Sequence, residues 1–279
     1  MTLMLRPVRS SLGKKYVVAI TGLLLMLFVL GHMAGNLLLF AGPEAINAYA
    51  EKLKSTGALL WVIRAALLTI FVVHIGITIR LTMENRIARP TKYVYERTME
   101  ASWASRHMFL TGLVILAFVV YHLAHFTLGV VKPADVQSVQ GKLEPLNPPK
   151  NYHDLTELKR SGEIHFIARP DLKLSDLKET PPTAGSKRAV LDNGTVVRQD
   201  VYSMVVSGFR NPIISLSYLL AMAFLGLHLW HGGSSFLQTL GLNSGAYKSV
   251  IARVGPTIAT IVVAGNCAIV LAVWLGVVK

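Results

Sequence analysis

The sequence predicts an all-α membrane protein whose chain crosses the bilayer five times. Of its 279 residues, 52% are hydrophobic and only 15% are charged, with a mean hydropathy of +0.48, a balance that is rare in water-soluble domains. The apolar residues fall into five runs that are each long enough to span the hydrocarbon core as a helix. The basic residues gather between those runs. These observations predict a multi-pass membrane protein.

Charge and cysteine content exclude several classes of function. The formal net charge is +13, but the basic residues form no single patch with aromatic residues, so they favour an anionic lipid surface and not nucleic acid as the partner. The single cysteine, Cys267, excludes an internal disulfide framework, a four-cysteine zinc site and an iron–sulfur cluster held by this chain alone. The first apolar run is too long for a cleavable signal peptide and has no small-residue cleavage site.

The predicted spans alternate in direction from a cytoplasmic N-terminus. Residues 1–15 and the connector 80–106 are rich in Lys and Arg, which favours the cytoplasmic side for both. The connector 42–58 is then predicted to face outward, as is the C-terminus. Pro256 is predicted in the first turn of the last helix, where proline is tolerated. The predicted spans are residues 16–41, 59–81, 107–131, 213–231 and 254–278.

Residues 132–212 interrupt the apolar pattern with prolines and charges. They predict a long extramembrane loop or cap on the outer side, between the third and fourth spans. Long loops do not enter the positive-inside count, so its lysines do not conflict with that side. Within the loop, apolar residues flank Asp192-Asn193-Gly194, which predicts a β-hairpin from Ala189 to Val197.

One apolar stretch occurs twice, at residues 21–33 and 111–123. Each copy begins with Thr-Gly and carries one histidine, His32 or His122, at the same distance from that dipeptide. A histidine in hydrocarbon is costly without a partner. Because the arrangement is used twice, it suggests one partner that is reached from two sides.

Four histidines, His32, His74, His122 and His228, each lie about fifteen residues into a span. At about 1.5 Å per residue this is about 23 Å into a core of about 30 Å. Because successive helices run in opposite directions, His32 and His122 are predicted near the outer face, and His74 and His228 near the cytoplasm. Two histidines at one depth on different helices can ligate a b-type haem from both sides. We therefore predict a five-helix bundle that encloses two b-type haems, with these histidines as axial iron ligands: His32 and His122 for the outer haem, and His74 and His228 for the inner haem.

Other interpretations of the histidines remain open. A single intramembrane histidine can be a core residue that bonds across helices, and a proton relay or metal path is a further option, weakened by the scarcity of Asp and Glu inside the spans. His125 and His231 each follow a predicted ligand by three residues and share roughly its helix face. They are predicted near a haem edge, beside a propionate or a quinone, with simple packing as the alternative. Four glycines near the ligands are predicted to let a haem ring approach the helix backbones: Gly31, Gly35, Gly76 and Gly226.

In these motifs the chain resembles the diheme cytochrome b membrane anchor of succinate:quinone oxidoreductases, in the single-subunit, five-helix form shared by succinate dehydrogenases and fumarate reductases. The resemblance covers the four histidine-bearing helices and, by topology, the fifth; the segment 132–212 is longer than in the shorter family members. The motifs are residues 21–33 with Gly35-Asn36-Leu37, Phe71 to His74, residues 111–123, and His228 with Gly232 and Ser235-Phe236-Leu237.

The resemblance implies a subunit of respiratory complex II, in the tricarboxylic acid cycle, located in the bacterial cytoplasmic membrane. It implies a flavoprotein with covalent FAD and an iron–sulfur subunit docked on the cytoplasmic face. Electrons would pass through the inner haem and then the outer haem, to or from a quinone that is often menaquinone. Because the chain has no dinucleotide fingerprint and no cluster-binding cysteines, we do not expect it to oxidise succinate alone.

Basic residues on the cytoplasmic side are predicted to neutralise haem propionates or to dock the iron–sulfur subunit, although positive-inside topology also explains each of them. They are Arg9, Lys14, Lys15, Arg80, Arg86 and Arg106. Two alternatives to the predicted function remain. One is the cytochrome b anchor of a hydrogenase or formate dehydrogenase; the other is a haem-free transporter or structural membrane protein.

Overall fold

The computed structural model describes residues 10–88, 103–128, 166–173, 189–190, 195–199, 201–242, 245 and 247–278. The described chain is predominantly helical. Its helices are α1 (Ser11–Asn36, continued by a 3-10 turn at Leu37–Ala41), α2 (Pro43–Ser55), α3 (Ala58–Ile87), α4 (Trp103–Arg106), α5 (Met108–His122, continued by a π turn at Leu123–Thr127), α6 (Val201–Arg210), α7 (Pro212–Thr239) and α8 (Lys248–Trp274).

Among the described residues, five helices are long and apolar enough to cross a membrane, as the sequence predicts. They are Ser11–Ala41, Ala58–Ile87, Met108–Thr127, Pro212–Thr239 and Lys248–Trp274. Several helix ends differ from the prediction. Helices α3 and α7 continue past residues 81 and 231, and α8 begins before residue 254. Hydropathy marks only the apolar part of a helix, and a helix can extend beyond the hydrocarbon core into polar sequence.

Two segments that the sequence assigns to connectors are helical. The connector 42–58 contains α2, which starts after Gly42; the φ of 100° at Gly42 lies in a region that side-chain-bearing residues rarely adopt. Pro43 at the first helical position and Glu44 in the first turn are typical of a helix start. The last part of the predicted 132–212 loop contains α6.

Within the described residues, three strands form an antiparallel sheet: β1 (Phe166–Lys173), β2 (Ala189–Val190) and β3 (Thr195–Gln199), in the order β1-β3-β2. Ala189 pairs with Val197 and Val190 with Val196, which is the antiparallel pairing expected for the predicted hairpin. Residues 191–194, where its turn is predicted, and most of the loop up to residue 200 lie outside the described residues.

The chain divides into two compact units. Unit 1 comprises Met1–Met33, Ala65–Ala117 and Leu220–Asn266, and unit 2 comprises Ala34–Arg64, Phe118–Leu219 and Cys267–Lys279. Each of the five spanning helices contributes residues to both units. Unit 1 has a buried cluster of Met26, Leu229, Ala259 and Val262.

The apolar core of unit 2 is built from the 3-10 turn after α1, from α2 and α6, and from parts of α7 and α8. It includes Leu39, Ile46, Val206, Phe209, Ile214, Tyr218, Ile269, Val270 and Val273. Asn47 of α2 is fully buried, and its side-chain oxygen accepts a hydrogen bond from the backbone N–H of Tyr202 at 3.0 Å. This bond satisfies an N–H in the first turn of α6, where helices lack internal partners.

Within unit 1, Pro256 lies inside α8 and not in its first turn as predicted. Proline has no N–H, so the carbonyl of Ala252 loses its usual helical partner. The hydroxyl of Ser234 in α7 donates to that carbonyl at 3.5 Å and accepts from the N–H of Gly255 at 3.1 Å. A Cβ added at Gly255 would lie 2.2 Å from the carbonyl oxygen of Trp230. Close approach of α7 and α8 therefore lets a serine replace the bond that proline removes.

Candidate functional site

In unit 1 the start of the first repeat copy, on α1, lies against a histidine of α3. Thr21 Oγ1 is 2.9 Å from Nδ1 of His74, and it is 2.7 Å from the carbonyl oxygen of Val17, to which it donates. A hydroxyl has one hydrogen. With that hydrogen directed to Val17, Thr21 accepts a hydrogen bond from Nδ1–H of His74. The neutral imidazole of His74 then carries its lone pair on Nε2.

The second repeat copy repeats this arrangement between α5 and α7, also within unit 1. Thr111 Oγ1 is 3.1 Å from Nδ1 of His228 and 3.0 Å from the carbonyl oxygen of Met108, to which it donates. The same reasoning makes Thr111 an acceptor for the imidazole of His228. Nε2 of His228 is therefore also left with a free lone pair.

The glycine that follows each threonine leaves room for the same imidazole. A Cβ added at Gly22 would lie 3.2 Å from Cε1 of His74, and one added at Gly112 would lie 3.7 Å from Cε1 of His228. The Thr-Gly dipeptide thus contacts the histidine of the next spanning helix. The sequence prediction missed this role because it used Thr-Gly only to measure the distance to the histidine of the same copy.

The imidazoles of His74 and His228 have the chemistry that a haem iron requires of its axial ligands. They lie on two different spanning helices, α3 and α7, within unit 1. In the part of the chain that the structure describes, no three or more His, Cys, Asp or Glu side chains gather where they could hold a metal ion. A haem iron needs only two protein ligands, because the porphyrin supplies the other four. Two imidazoles with free Nε2 atoms provide that donor set.

In unit 2, two histidines share one phenol. The hydroxyl oxygen of Tyr218 is 3.3 Å from Nδ1 of His122 and 3.0 Å from Nδ1 of His125. A phenol can donate to one acceptor and accept from another donor. If His122 is to present a free Nε2, its Nδ1–H must donate to Tyr218, and the phenol then donates to His125.

His125 is packed into an aromatic cluster. It is 1% exposed, and its ring stacks on that of Phe126 with centroids 4.0 Å apart. A Cβ added at Gly208 of α6 would lie 3.2 Å from Cε1 and 3.3 Å from Nε2 of His125. The residue belongs to the π turn after α5, and π turns are rare features that are frequent at functional sites. These contacts agree with the packing alternative for His125, and its role at a haem edge stays a prediction.

The two predicted ligands of the outer haem, His32 and His122, each lie beside a phenylalanine of their own helix. His32 belongs to unit 1, and its ring stacks on Phe28 with centroids 5.6 Å apart. His122 belongs to unit 2, where its ring lies 5.7 Å from that of Phe118. Their pairing across one haem stays a prediction, as does the haem-edge role of His231.

Two of the four predicted glycines face protein side chains. A Cβ added at Gly35 would lie 2.9 Å from the ring of Tyr49, and one at Gly226 would lie 2.8 Å from Val263. The prediction that these two glycines face a haem ring is therefore not supported, because each makes room for a side chain. A Cβ at Gly31 or Gly76 would meet nothing within 4 Å, which leaves space there for a ring.

Two of the predicted basic residues form ion pairs with a carboxylate. Lys14 is 3% exposed and forms an ion pair with Glu84, whose carboxylate also accepts from Nε of Arg80 at 3.1 Å. A buried ammonium needs such a partner. Lys14 and Arg80 therefore have a carboxylate partner within this chain, apart from any propionate or partner subunit. Lys15 is exposed, and Arg9 lies outside the described residues.

Arg86 and Arg106 line one polar pocket of about 840 Å³ in unit 1, together with Thr82, Asn85, Ala88 and Ser105. The guanidinium of Arg86 also lies 5.7 Å from the ring centroid of Phe109. Two guanidinium groups in one polar pocket are suited to an anionic group. Arg86 and Arg106 thus share a pocket, whereas Lys14 and Arg80 share the carboxylate of Glu84.

No protein-family model, curated protein or solved structure matches this chain. The family resemblance therefore rests on the sequence motifs alone.

Proposed function

We propose that this chain is a membrane-embedded electron carrier with two b-type haems, the anchor subunit of a succinate:quinone oxidoreductase. The supporting observation is the pair of threonine–histidine contacts in unit 1. Thr21 and Thr111 each accept from one imidazole Nδ1–H, and the two imidazoles therefore present free Nε2 atoms. Two such imidazoles from different helices are the donor set of a bis-histidine haem.

The residues of the chain would bind and orient the cofactor. His74 from α3 and His228 from α7 are the proposed ligands of the inner haem, and His32 and His122 those of the outer haem. When bound, each haem supplies a one-electron couple in the membrane. The pocket with Arg86 and Arg106 is suited to a propionate or to an acidic surface of the iron–sulfur subunit.

The choice of the succinate:quinone class comes from the motifs, since the geometry supports a haem and not a particular redox partner. On this proposal, the partners are a flavoprotein with FAD, an iron–sulfur subunit on the cytoplasmic face, and a membrane quinone such as menaquinone. The chain is then an electron-transfer subunit of the enzyme, and succinate oxidation takes place on the flavoprotein.

The ligand scheme is tested by the haem-to-protein ratio of the purified complex, measured for single His→Ala variants. The wild type is expected to hold about two haems per chain. His74→Ala and His228→Ala should lose the same spectral component, and His32→Ala and His122→Ala the other. His107→Ala is the control, because that ring stacks on Trp103 and bonds its carbonyl at 2.8 Å.

Other results would contradict the scheme. A wild-type ratio near one, or haem loss confined to the His125 and His231 variants, would overturn the ligand assignment. No Soret absorption in the wild type would favour the haem-free alternative. Copurification with a nickel or molybdenum subunit, in place of a flavoprotein that reduces quinone with succinate, would favour the hydrogenase or formate dehydrogenase class.

A further inference from the structure

We infer that Thr21 and Thr111 are positioning residues for the two ligands of the inner haem. Their hydroxyls hold the imidazoles of His74 and His228 in the tautomer that presents Nε2, and they make that nitrogen a stronger electron donor. The inference rests on the proposed function, and it concerns two residues that touch only the ligands and not the reacting iron.

In both repeat copies the threonine hydroxyl has a backbone carbonyl of its own helix as a hydrogen-bond acceptor. Thr21 donates to the carbonyl of Val17 at 2.7 Å, and Thr111 donates to the carbonyl of Met108 at 3.0 Å. Both side chains are buried, Thr21 at 8% and Thr111 at 0% exposure, so the described contacts place each hydroxyl between its own helix and an imidazole. With the hydroxyl hydrogen on the backbone carbonyl, each oxygen accepts from the ring N–H, which favours the tautomer with its lone pair on Nε2.

Threonine in a spanning helix commonly bonds back to its own backbone, and that bond alone indicates nothing about a ligand. Thr69 bonds to the carbonyl of Ala65 at 2.8 Å, and Thr260 to that of Pro256 at 2.9 Å; both side chains are exposed. What distinguishes Thr21 and Thr111 is the second contact, made with a histidine of another helix. The recurrence of that contact in both repeat copies makes an incidental origin a poor explanation.

A hydrogen bond from the outer ring nitrogen raises the basicity of a histidine ligand and fixes its orientation. A more basic ligand stabilises ferric over ferrous iron and lowers the reduction potential. Removal of one acceptor should therefore raise the potential of the inner haem. A net hydrogen bond of ordinary strength corresponds to a roughly threefold to tenfold change in the ferric-to-ferrous equilibrium, and tenfold is 59 mV for one electron.

The experiment is a redox titration of the purified complex, with the absorption and low-temperature EPR spectra of each haem followed separately. The variants are Thr21→Val and Thr111→Val, which keep the side-chain shape, and Thr21→Ser and Thr111→Ser, which keep the hydroxyl. Thr69→Val is the matched control, because it removes a backbone bond of the same kind in α3 without a histidine contact. Should a valine variant not accumulate, Thr→Cys replaces it, since sulfur is only a weak acceptor.

Each valine variant is expected to raise the potential and alter the EPR signal of the haem that the His74 and His228 variants remove. The serine variants and Thr69→Val should match the wild type. Selective loss of that haem in a valine variant, with retention in the serine variant, also supports the inference.

Two bound haems with unchanged potentials in the valine variants would overturn the inference but not the proposed function. The inference also fails if both haems shift equally, or if serine shifts the potential as much as valine. Absence of haem from the wild-type protein would instead contradict the proposed function itself.

Discussion

Two histidines of unit 1, His74 and His228, differ from two of unit 2, His122 and His125, in what their Nδ1 atoms contact. Nδ1 of His74 contacts Thr21, and Nδ1 of His228 contacts Thr111. In unit 2, His122 and His125 share the single phenol of Tyr218. The first arrangement assigns each histidine one tautomer, whereas the second allows two arrangements that differ in which ring donates to the phenol.

This difference concerns how the protonation of neighbouring histidines is linked. A hydroxyl that donates to its own helix favours one role toward the ring beside it, so the tautomers of His74 and His228 are each favoured by a separate threonine. A shared phenol links two rings, so the tautomer of His122 depends on that of His125.

The largest effect is expected from Tyr218→Phe. The change keeps the ring, whose edge contacts with Phe118 and Phe209 both have centroid distances of 5.0 Å, but it removes the partner of two Nδ1 atoms. We expect a loss of about 1–3 kcal/mol in stability, because buried polar groups are left without that bond. Thermal unfolding in detergent measures it, together with the spectrum of the haem that His122→Ala removes.

Tyr121→Phe is the control, since that ring stacks near His125 at a centroid distance of 5.9 Å in the same cluster. Equal destabilisation by the two changes would mean that the phenol of Tyr218 holds neither histidine, and the contrast between the units would disappear.

A smaller loss is expected from Gly208→Ala in unit 2. Its new methyl group would lie 3.2 and 3.3 Å from two atoms of His125 and 3.5 Å from Phe126. Because His125 is enclosed, we expect a cost of about 1–2 kcal/mol from overpacking. The midpoint of thermal unfolding checks this value, with Gly232→Ala in α7 as the control, where a Cβ would meet only Met108, at 3.9 Å. A Gly208 variant as stable as the Gly232 variant would show that the aromatic cluster adjusts at little cost.

The smallest effect is a difference inside unit 1. Gly22→Ala places its Cβ 3.2 Å from His74, tighter than ordinary contact, whereas Gly112→Ala places its Cβ 3.7 Å from His228, at ordinary contact distance. Both changes gain the same helix propensity relative to glycine, so their comparison isolates the contact. We expect Gly22→Ala to be the less stable by roughly 0.5–1 kcal/mol. Equal unfolding midpoints, or the reverse order, would show that the two threonine–histidine pairs are not packed as differently as these distances indicate.

The spanning helices could be predicted because a long apolar run has few alternatives in a folded chain. Helix α2 was missed, since its polar composition resembles a connector and the groups that stabilise it are distant. Asn47 bonds to the backbone of Tyr202, a partner 155 residues away. The residues around Asn47 contain no pattern from which a partner so far along the chain could be predicted.

The candidate site remains a prediction, and the structure adds contacts to it. Depth within each span singles out His74 and His228 in the sequence, because helix rise and direction are regular. Their hydroxyl partners depend on which helices are neighbours: Thr21 and His74 are 53 residues apart, and Thr111 and His228 are 117 apart. The Thr-Gly dipeptide that occurs in both repeat copies was the only sign of these contacts in the sequence. Its role could be recognised only once the structure showed that α1 lies beside α3 and α5 beside α7.

The two repeat copies differ three residues after their histidines, and the contacts described for Gly35 and His125 show how. In the first copy that position is Gly35, and the ring of Tyr49 fills the space beside it. In the second copy the position is His125, and Gly208 provides the space. In the first case the spanning helix has the small residue and its neighbour the large one, and in the second case the reverse holds. The small residue at one position and the large residue at the other therefore each depend on a matching side chain or glycine in a neighbouring helix.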